Sequence, residues 1–512
     1  MLDGFSIKNY EQLKKINESF LTDKLSYFCL TTDGWSNIRN DPIINYVATS
    51  HKKTLFLESV STGDHSHNAN FIASDIVRVI EKFPGTNFCG VVTDNTSANK
   101  NAWAQLKSKL PHLFFQGCMS HGLNLLVKDI FAATKTRKPP SNELGFPDGY
   151  PFEHLLEFAN NCKDAVKFFC NHHLMKAGLE NLQKKAGVKS LVKPAPTRFV
   201  ILLFGVTLYL NICSLRWGTV LGCFQSIMDS ERLLHQIVTE RDFVSGSSKQ
   251  KEERQSIKTF IVADSFVELL RKSIAILTPI DKLIVKYQSD SVALSEVLVD
   301  FTYTQMTGFG ELKSQSIISA NEHNYLVHLT RQRYEFLNGD AHGMGYLLDP
   351  RFIGERLSPQ MRQAIEDQLF SFPNDGADDS GFRQALFQQY TDFVISARTE
   401  KANNSFRYEM LVKRVKSPIQ YWLADGAQWP YLQSVALKLF SLATSTASCE
   451  RSFSNQGFIH SKLRNSLGPE RVEKLVYIRA NYQDVQQEQN DLQLSEFSCS
   501  DHCSDEEVID VE

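Results

Sequence analysis

The segment from about Leu25 to Ile130 alternates short apolar runs with amphipathic stretches, and this alternation constrains the fold more than any other feature of the chain. Strands are predicted where β-rich runs end at turn residues. Helices are predicted where apolar residues recur every three or four positions. The run at 88–92 is wholly apolar, as is typical of a central buried strand. The predicted strands are 27–31, 43–50, 54–61, 88–92 and 113–116. Their order with the intervening helices, β-β-β-α-β-α-β-α, predicts an α/β domain with a mixed sheet.

Beyond this segment the pattern changes to long amphipathic helices, and a chain of 512 residues exceeds what a single core accommodates. The fold class expected is therefore α/β plus all-α. The segments expected are a helical lead-in at 1–24, the first part of a core at 25–134, a helical insertion at 135–414, a helical segment that completes the core at 415–483, and an acidic, disordered tail at 484–512.

The formal net charge of −3 is unevenly distributed. Ten acidic residues and no Lys or Arg lie between Asp484 and Glu512. The remainder holds 55 basic against 48 acidic residues, a balance compatible with contacts to phosphates.

The cysteine content and the longest apolar run limit the class of protein further. The ten cysteines form no Cys-x-x-Cys pair, so reduced thiols in the cytosol or nucleus are expected rather than a structural zinc finger. The run from Phe199 to Ile212 is shorter than the ~20 residues of a membrane helix, and it predicts a buried helix. No membrane role is indicated.

Three acids stand at the edges of predicted elements: Asp33 after the first strand, Asp94 after the fourth, and Glu450 on a distant helix. Each has an ordinary alternative. Asp33 with Gly34 is a good turn pair, Asp94 could cap a helix, and Glu450 beside Arg451 could form a solvated ion pair. Together, however, several carboxylates converging on one point are what a hard divalent cation needs near a phosphate.

The strings that carry these acids resemble motifs of the hAT superfamily of transposases. They are LTTDGWS ending at Ser36, VVTDN ending at Asn95 and SCERSFS ending at Ser454. The resemblance runs from about Leu25 to Tyr482. Cys449 is a mild departure, since the family usually has Ala or another small residue there.

The resemblance implies a ribonuclease H-like core interrupted by a helical insertion, with Asp33, Asp94 and Glu450 as catalytic and metal-binding residues. It also implies a two-metal site for Mg²⁺ or Mn²⁺, with phosphodiester cleavage, hairpin formation and strand transfer if the site is active. DNA is the expected partner, the nucleus the expected location, and no small-molecule cofactor is expected.

Two further matches suggest groups that surround the proposed site. Cys118 and His121 form the family's Cys-x-x-His, expected to support the pocket or contact DNA; no second pair of ligands accompanies them, so zinc is not expected. Arg198 and Phe199 match a Thr-Arg-aromatic motif, in which arginine would hold phosphate and the ring would stack on an unpaired base. Alternatively, Phe199 begins a buried helix.

The stretch from Gln428 to Tyr482 resembles the hAT dimerisation region and has more apolar surface than one helix can hide, so a partner chain or the core must cover it. The residues expected at a dimer contact are Trp429, Leu437, Phe440, Phe453, Leu475 and Val476.

Complete members of the family begin with a BED-type zinc finger, which is expected to be lacking ahead of Asp33. Two functional hypotheses therefore stand beside each other. The chain is a transposase core, or it is a catalytically silent, dimeric, DNA-associated or regulatory protein derived from a transposase.

Overall fold

The computed structural model describes residues 2–36, 41–63, 68–131, 151–193, 217–373, 379–459, 468 and 470–482. The strands are β1 Phe28–Ser36, β2 Pro42–Thr49, β3 Thr54–Ser61, β4 Phe88–Thr93 and β5 Phe114–Gly117. The helices are α1 Leu2–Leu21, α2 Ala69–Lys82, α3 Ser97–Lys109, α4 Met119–Ile130, α5 Glu153–Asn171, α6 His173–Ala186, α7 Trp217–Thr239, α8 Ser248–Val262, α9 Phe266–Tyr287, α10 Glu296–Tyr303, α11 Phe309–Ser314, α12 Ala320–Leu337, α13 Asp340–Leu348, α14 Pro359–Phe370, α15 Asp379–Ala402, α16 Phe406–Val412, α17 Pro418–Ala424, α18 Pro430–Phe440, α19 Ala447–Ile459 and α20 at 470–482. A π-helical turn, Thr304–Gly308, joins α10 to α11, and a 3₁₀ turn, Gly426–Gln428, follows α17.

The chain forms two compact units that are discontinuous in sequence. The first unit comprises Met1–Thr93, Ser97–Phe114 and Ser441–Glu512, and the second comprises Asp94–Thr96 and Phe115–Phe440. The mixed sheet and the many helices confirm the expected class, α/β together with all-α.

The sheet is mixed because its strands are connected in two different ways. Its order is β3-β2-β1-β4-β5. A short connection, in which the Ser50 N–H donates to the Lys53 carbonyl at 2.8 Å, makes β2 and β3 antiparallel, and β2 is also antiparallel to β1. The connection from β3 to β4 includes α2, and β4 runs parallel to β1. Crossovers of this kind are how parallel neighbours are joined. The predicted order of strands and helices is confirmed.

Gly90 lets β4 pack closely against Leu442 and Phe114 in the first unit. A Cβ at this position would lie 2.5 Å from Leu442 Cδ2 and 2.6 Å from the Phe114 carbonyl oxygen. Distances this short exclude any side chain larger than hydrogen. The glycine therefore lets β4 pack directly beneath Leu442, a residue that follows it by several hundred positions in sequence.

The helices α19 and α20 pack with α1 and the sheet in one apolar cluster of the first unit. The buried members of this cluster are Leu13, Val47, Phe56, Cys449, Phe453, Ile459, Val472, Val476 and Tyr477. Asn481 also pairs with β3: its Oδ1 accepts from the Phe56 N–H at 3.0 Å, and its Nδ2 donates to the Phe56 carbonyl at 3.1 Å. This side chain occupies backbone groups that an edge strand would otherwise expose.

The stretch 346–351 holds a buried charge network in the second unit. Asp349 is fully buried and accepts from Arg351 Nη2 at 2.7 Å, from Arg351 Nε at 3.0 Å and from Ser295 Oγ at 2.6 Å. Arg351 also donates to Glu296 at 3.0 Å. The network therefore joins α10 to the end of α13, and the Trp422 indole N–H adds α17 by donating to the Leu348 carbonyl at 2.9 Å.

His342 of α13 lies in the interior of the second unit as a neutral ring. Its side chain is 2% exposed, and its Nδ1 accepts from the Gly339 N–H at 3.0 Å. Burial lowers the pKa of His342 to about 4. The ring is therefore uncharged over the range in which an exposed histidine becomes protonated.

This histidine makes the stability depend on pH. In the unfolded chain His342 takes up a proton near its ordinary pKa of about 6.5, whereas in the folded chain it does so only near 4. Its stabilising contribution is complete above pH 6.5 and is lost as the pH falls towards 4. At pH 5.0 we expect it to cost the folded state about 2 kcal/mol relative to pH 7.5.

Urea unfolding at both pH values, compared with His342→Gln, measures this contribution. Glutamine carries no titrating group, so the variant should lose less stability between pH 7.5 and 5.0 than the natural chain by about 2 kcal/mol. Equal losses in the two proteins would show that His342 does not titrate as its burial implies.

Candidate active site

Asp33 lies inside β1, not at the strand's end as its sequence context predicted. The strand continues to Ser36, and Asp33 stands opposite Asn45 of β2. The pairing of β1 with β4 reaches Thr31 and Val92, two residues before Asp33. The Asp-Gly pair thus forms no turn here, because antiparallel pairing with β2 keeps it extended. Asp33 is 7% exposed, and its Oδ1 accepts from the Gly34 N–H at 2.9 Å.

Glu450 lies in the first turn of α19, which small side chains hold tightly against β1. The hydroxyl oxygens of Ser448 and Thr31 are hydrogen-bonded at 2.9 Å, and the Cys449 thiol donates to Thr31 Oγ1 at 3.5 Å. Such short contacts require small residues on the facing helix. The close packing of this helix on the sheet is therefore formed by Ser448 and Cys449.

The buried Cys449 thiol lies within electrostatic range of Asp33 and Glu450, the two candidate catalytic acids of the first unit. Burial is the main cause that raises the pKa of this thiol, and the negative charges of Asp33 and Glu450 raise it further. Asp33 and Glu450, which are more than four hundred positions apart, therefore share one neighbourhood. Because Cys449 is completely buried, it is a packing residue and not an accessible nucleophile.

Asp94 belongs to the second unit and directly follows Thr93, the last residue of β4. Its Oδ1 accepts from the Thr96 N–H at 2.9 Å, which makes a local turn ahead of α3. His121 of α4 lies within electrostatic range of this carboxylate. Burial lowers the pKa of His121, while the charge of Asp94 acts in the opposite direction. The Cys-x-x-His motif is thus brought to Asp94 in the second unit.

Asn95 was not singled out from sequence, yet it connects the two motifs of the second unit. Its Nδ2 donates to the Cys118 carbonyl at 2.8 Å. A Cβ on Gly117 would lie 1.7 Å from Asn95 Oδ1, so only glycine leaves room for the amide. Cys118 itself caps α4, since its sulfur accepts from the His121 N–H at 3.4 Å. Thr31 was likewise missed, because its contact with Ser448 depends on tertiary structure.

The proposed base-stacking pair, Arg198 and Phe199, lies outside the described residues, as do the helix predicted after it and the acidic tail. In the parts of the chain that the structure describes, no group of three or more His, Cys, Asp and Glu side chains is arranged to hold a metal ion. Metal binding by Asp33, Asp94 and Glu450 stays a prediction.

The residues predicted at a dimer contact lie mainly inside the chain's own cores. Phe453 and Val476 belong to the apolar cluster of the first unit, and Leu475 packs partly buried against it. In the second unit Trp429 and Phe440 are buried, and Leu437 is half-buried. An apolar sequence pattern does not distinguish a core from a partner. Phe458, a neighbour of these residues on α19, is 60% exposed, and its ring packs against the Arg479 guanidinium at 4.0 Å.

Two protein-family models match the chain. One, described as a domain of unknown function (DUF659), matches residues 7–138, and the other, the hAT family C-terminal dimerisation region, matches residues 404–482. The second match supports self-association. No curated protein matches the chain. Across the described ranges, none of the helices has the length and apolar character needed to cross a membrane.

Proposed function

Because the chain is a hAT-family transposase-like protein, we propose that it is a transposase core in which Asp33, Asp94 and Glu450 act in cutting DNA. The observation that carries the proposal is the contact of Cys449, the residue before Glu450, with the Asn45 carbonyl at 3.8 Å, because Asn45 stands opposite Asp33 in the sheet. Asp94 is included because it directly follows β4, the parallel neighbour of β1. The element order β-β-β-α-β-α-β-α supports a ribonuclease H-like identity for the sheet.

The three carboxylates would hold Mg²⁺ or Mn²⁺, and such ions activate a nucleophile and stabilise the leaving oxygen of a phosphodiester. The other residues of the chain would hold these carboxylates in position. The contacts of Thr31 with Ser448 and Cys449 position the first turn of α19 and hence Glu450. Burial lowers the pKa of His121, which favours the neutral ring at pH 7. The ring then adds no positive charge that would compete with a metal ion for the Asp94 carboxylate.

A protein with this activity would use DNA as its substrate, act in the nucleus and continue from cleavage to strand transfer. The body of the chain, with 55 basic against 48 acidic residues ahead of the tail, is compatible with phosphate contacts. The match to the dimerisation region adds a second copy of the chain as partner.

Removal of the metal tests the proposed cleavage. A supercoiled plasmid incubated with the full chain and Mn²⁺ should become nicked, because Mn²⁺ tolerates imperfect ligand geometry better than Mg²⁺. Excess EDTA should stop the nicking, since the carboxylates alone cannot activate the phosphate. Thermal unfolding with and without EDTA controls for loss of the folded state. Equal nicking with EDTA, or none with Mn²⁺ from a folded protein, contradicts the proposal.

The second candidate is a catalytically silent, dimeric, DNA-associated protein. It is favoured by the match to a dimerisation region, a function that requires no metal site. DNA binding that weakens steeply with salt, without any nicking in Mn²⁺, would support this candidate over the nuclease.

A further inference from the structure

Asn45 of β2 stands beside Asp33 in the sheet and carries a hydrogen-bond donor that the fold leaves unpaired. The two residues lie directly opposite each other in the antiparallel pairing of β1 with β2. Directly opposite side chains project from the same face of a sheet, with their Cβ atoms about 4.5–5.5 Å apart. The Asn45 side chain is therefore within reach of a candidate catalytic carboxylate.

The face of the sheet on which these two side chains lie is the one that α19 covers. Thr31 Oγ1 is hydrogen-bonded to Ser448 Oγ of the helix at 2.9 Å. The ring centroids of Trp35 and Phe453, also of the helix, lie 5.4 Å apart. Thr31 and Trp35 flank Asp33 at alternate positions of β1, and alternate residues of a strand share a face. The Asp33 side chain and its cross-strand neighbour therefore project towards α19.

The amide of Asn45 is hydrogen-bonded on one side only. Ser59, the residue of β3 opposite Asn45, donates from its Oγ to Asn45 Oδ1 at 2.7 Å. The Nδ2 atom is buried and has no hydrogen-bond partner among the described residues. Its neighbours along β2 on this face, Ile43 and Val47, are apolar. A buried donor without a partner is costly, and only a side chain already inside the fold can pair with this one.

The orientation of the amide directs the unpaired donor towards β1. Oδ1 and Nδ2 lie on opposite sides of the amide, so the bond from Ser59 to the oxygen turns the nitrogen to the side on which Asp33 stands. The reverse orientation would bring the amide oxygen, an acceptor, against a carboxylate, which only accepts when it is ionised. In the structure Asp33 Oδ1 accepts from the Gly34 N–H at 2.9 Å, and the donor of Asn45 is still unpaired.

We propose that Asn45 is a positioning residue for Asp33: its amide N–H donates to one carboxylate oxygen and leaves the other for a divalent cation. An unpaired donor buried beside a carboxylate fits such a site, because carboxylates that bind metal ions are themselves hydrogen-bonded by neighbouring residues. The bond restricts the carboxylate to one orientation. This role rests on the proposed cleavage, and it adds a residue that touches neither the metal nor the DNA.

Binding of Mn²⁺ to the full chain tests this role without relying on nicking. The electron paramagnetic resonance signal of free Mn²⁺ measures binding, and the part of it that Asp33→Asn abolishes reports the proposed site. Asn45→Val removes the donor and suits a strand, and it should weaken this part about 10- to 100-fold. Asn45→Thr has nearly the shape of valine but keeps a hydroxyl that can donate, so it should recover most of the affinity.

Asn17→Val is the matched control for the loss of a buried amide. Asn17 of α1 is buried in the first unit, and its Nδ2 donates to the Tyr477 hydroxyl at 3.1 Å. The same chemical change at this position should leave the affinity for Mn²⁺ unaltered. The role of Asn45 would be overturned by natural affinity in Asn45→Val, by equal weakening in the Val and Thr variants, or by equal weakening in Asn17→Val.

Thermal unfolding identifies any variant that does not fold. If Asn45→Val is one of them, Ser59→Ala takes its place, because it frees the amide through a change at a half-buried side chain. Ser59→Ala should weaken Mn²⁺ binding about threefold, and an unchanged affinity would overturn the proposal. Mn²⁺ binding of which Asp33→Asn abolishes no part is a different failure, since it contradicts the proposed cleavage site itself and, with it, any role of Asn45 there.

Discussion

Replacing Glu450 with Gln is expected to reduce Mn²⁺-dependent plasmid nicking by about 10²- to 10³-fold, the cost of removing one group that stabilises charge in a reacting centre. Glutamine keeps the size and shape of the side chain but removes the negative charge that would attract a metal. Since Asp33 and Glu450 both oppose ionisation of Cys449, their charges lie in one confined neighbourhood. Thermal unfolding of Glu450→Gln and of the natural chain checks that a loss of nicking is not a loss of the folded state.

Glu470→Gln is the matched control for this experiment. Glu470 is an exposed glutamate of α20 whose carboxylate pairs with Lys474 at 2.8 Å. The same chemical change at this position should leave nicking unaltered. Full activity of Glu450→Gln would remove Glu450 from the site. Loss of activity in Glu470→Gln as well would point to a general effect on the preparation and not to the carboxylate of α19.

Replacing Arg351 with Met is expected to lower the free energy of unfolding by about 3–5 kcal/mol. Arg351 is 8% exposed and binds two carboxylates, those of the fully buried Asp349 and of Glu296. Glu296 keeps Arg414 at 2.8 Å and Lys286 at 2.5 Å as partners. Asp349, in contrast, loses both of its bonds to the guanidinium and keeps only those from Ser295 Oγ at 2.6 Å and from the backbone N–H of residue 351 at 2.9 Å. Removing one partner of a buried pair costs far more than the pair contributes when intact.

Urea unfolding measures the free energy of unfolding lost in Arg351→Met, with Lys413→Met as the control. Lys413 is 59% exposed and pairs with Glu409 one turn earlier in α16. An exposed pair of this kind contributes little, so its loss should cost no more than about 0.5 kcal/mol. A cost for Arg351→Met as small as that for Lys413→Met would mean that water or a rearrangement of nearby side chains replaces Arg351 as the partner of Asp349.

Local sequence patterns were sufficient to predict the individual elements from β1 to α4. The order of strands and helices up to α4 follows from apolar spacing and turn residues, because neighbouring residues decide which face of a strand or helix is apolar. The three acids were recognised for a similar reason, since each lies in a short motif.

Which residues and elements pack against one another is seen only in the tertiary structure. Asp33 lies in an extended strand although Asp-Gly is a turn pair, because pairing with β2 outweighs the local preference. Val476 lies in the chain's own core because burial removes apolar surface from water whether the cover comes from the same chain or a partner. Asp349 and Arg351 form a charge network only because the fold brings Glu296, which lies tens of positions earlier, beside Arg351. The sequence by itself determined the order and polarity of the elements, since those depend on adjacent residues. Tertiary structure decided which buried groups meet, since those contacts join residues tens to hundreds of positions apart.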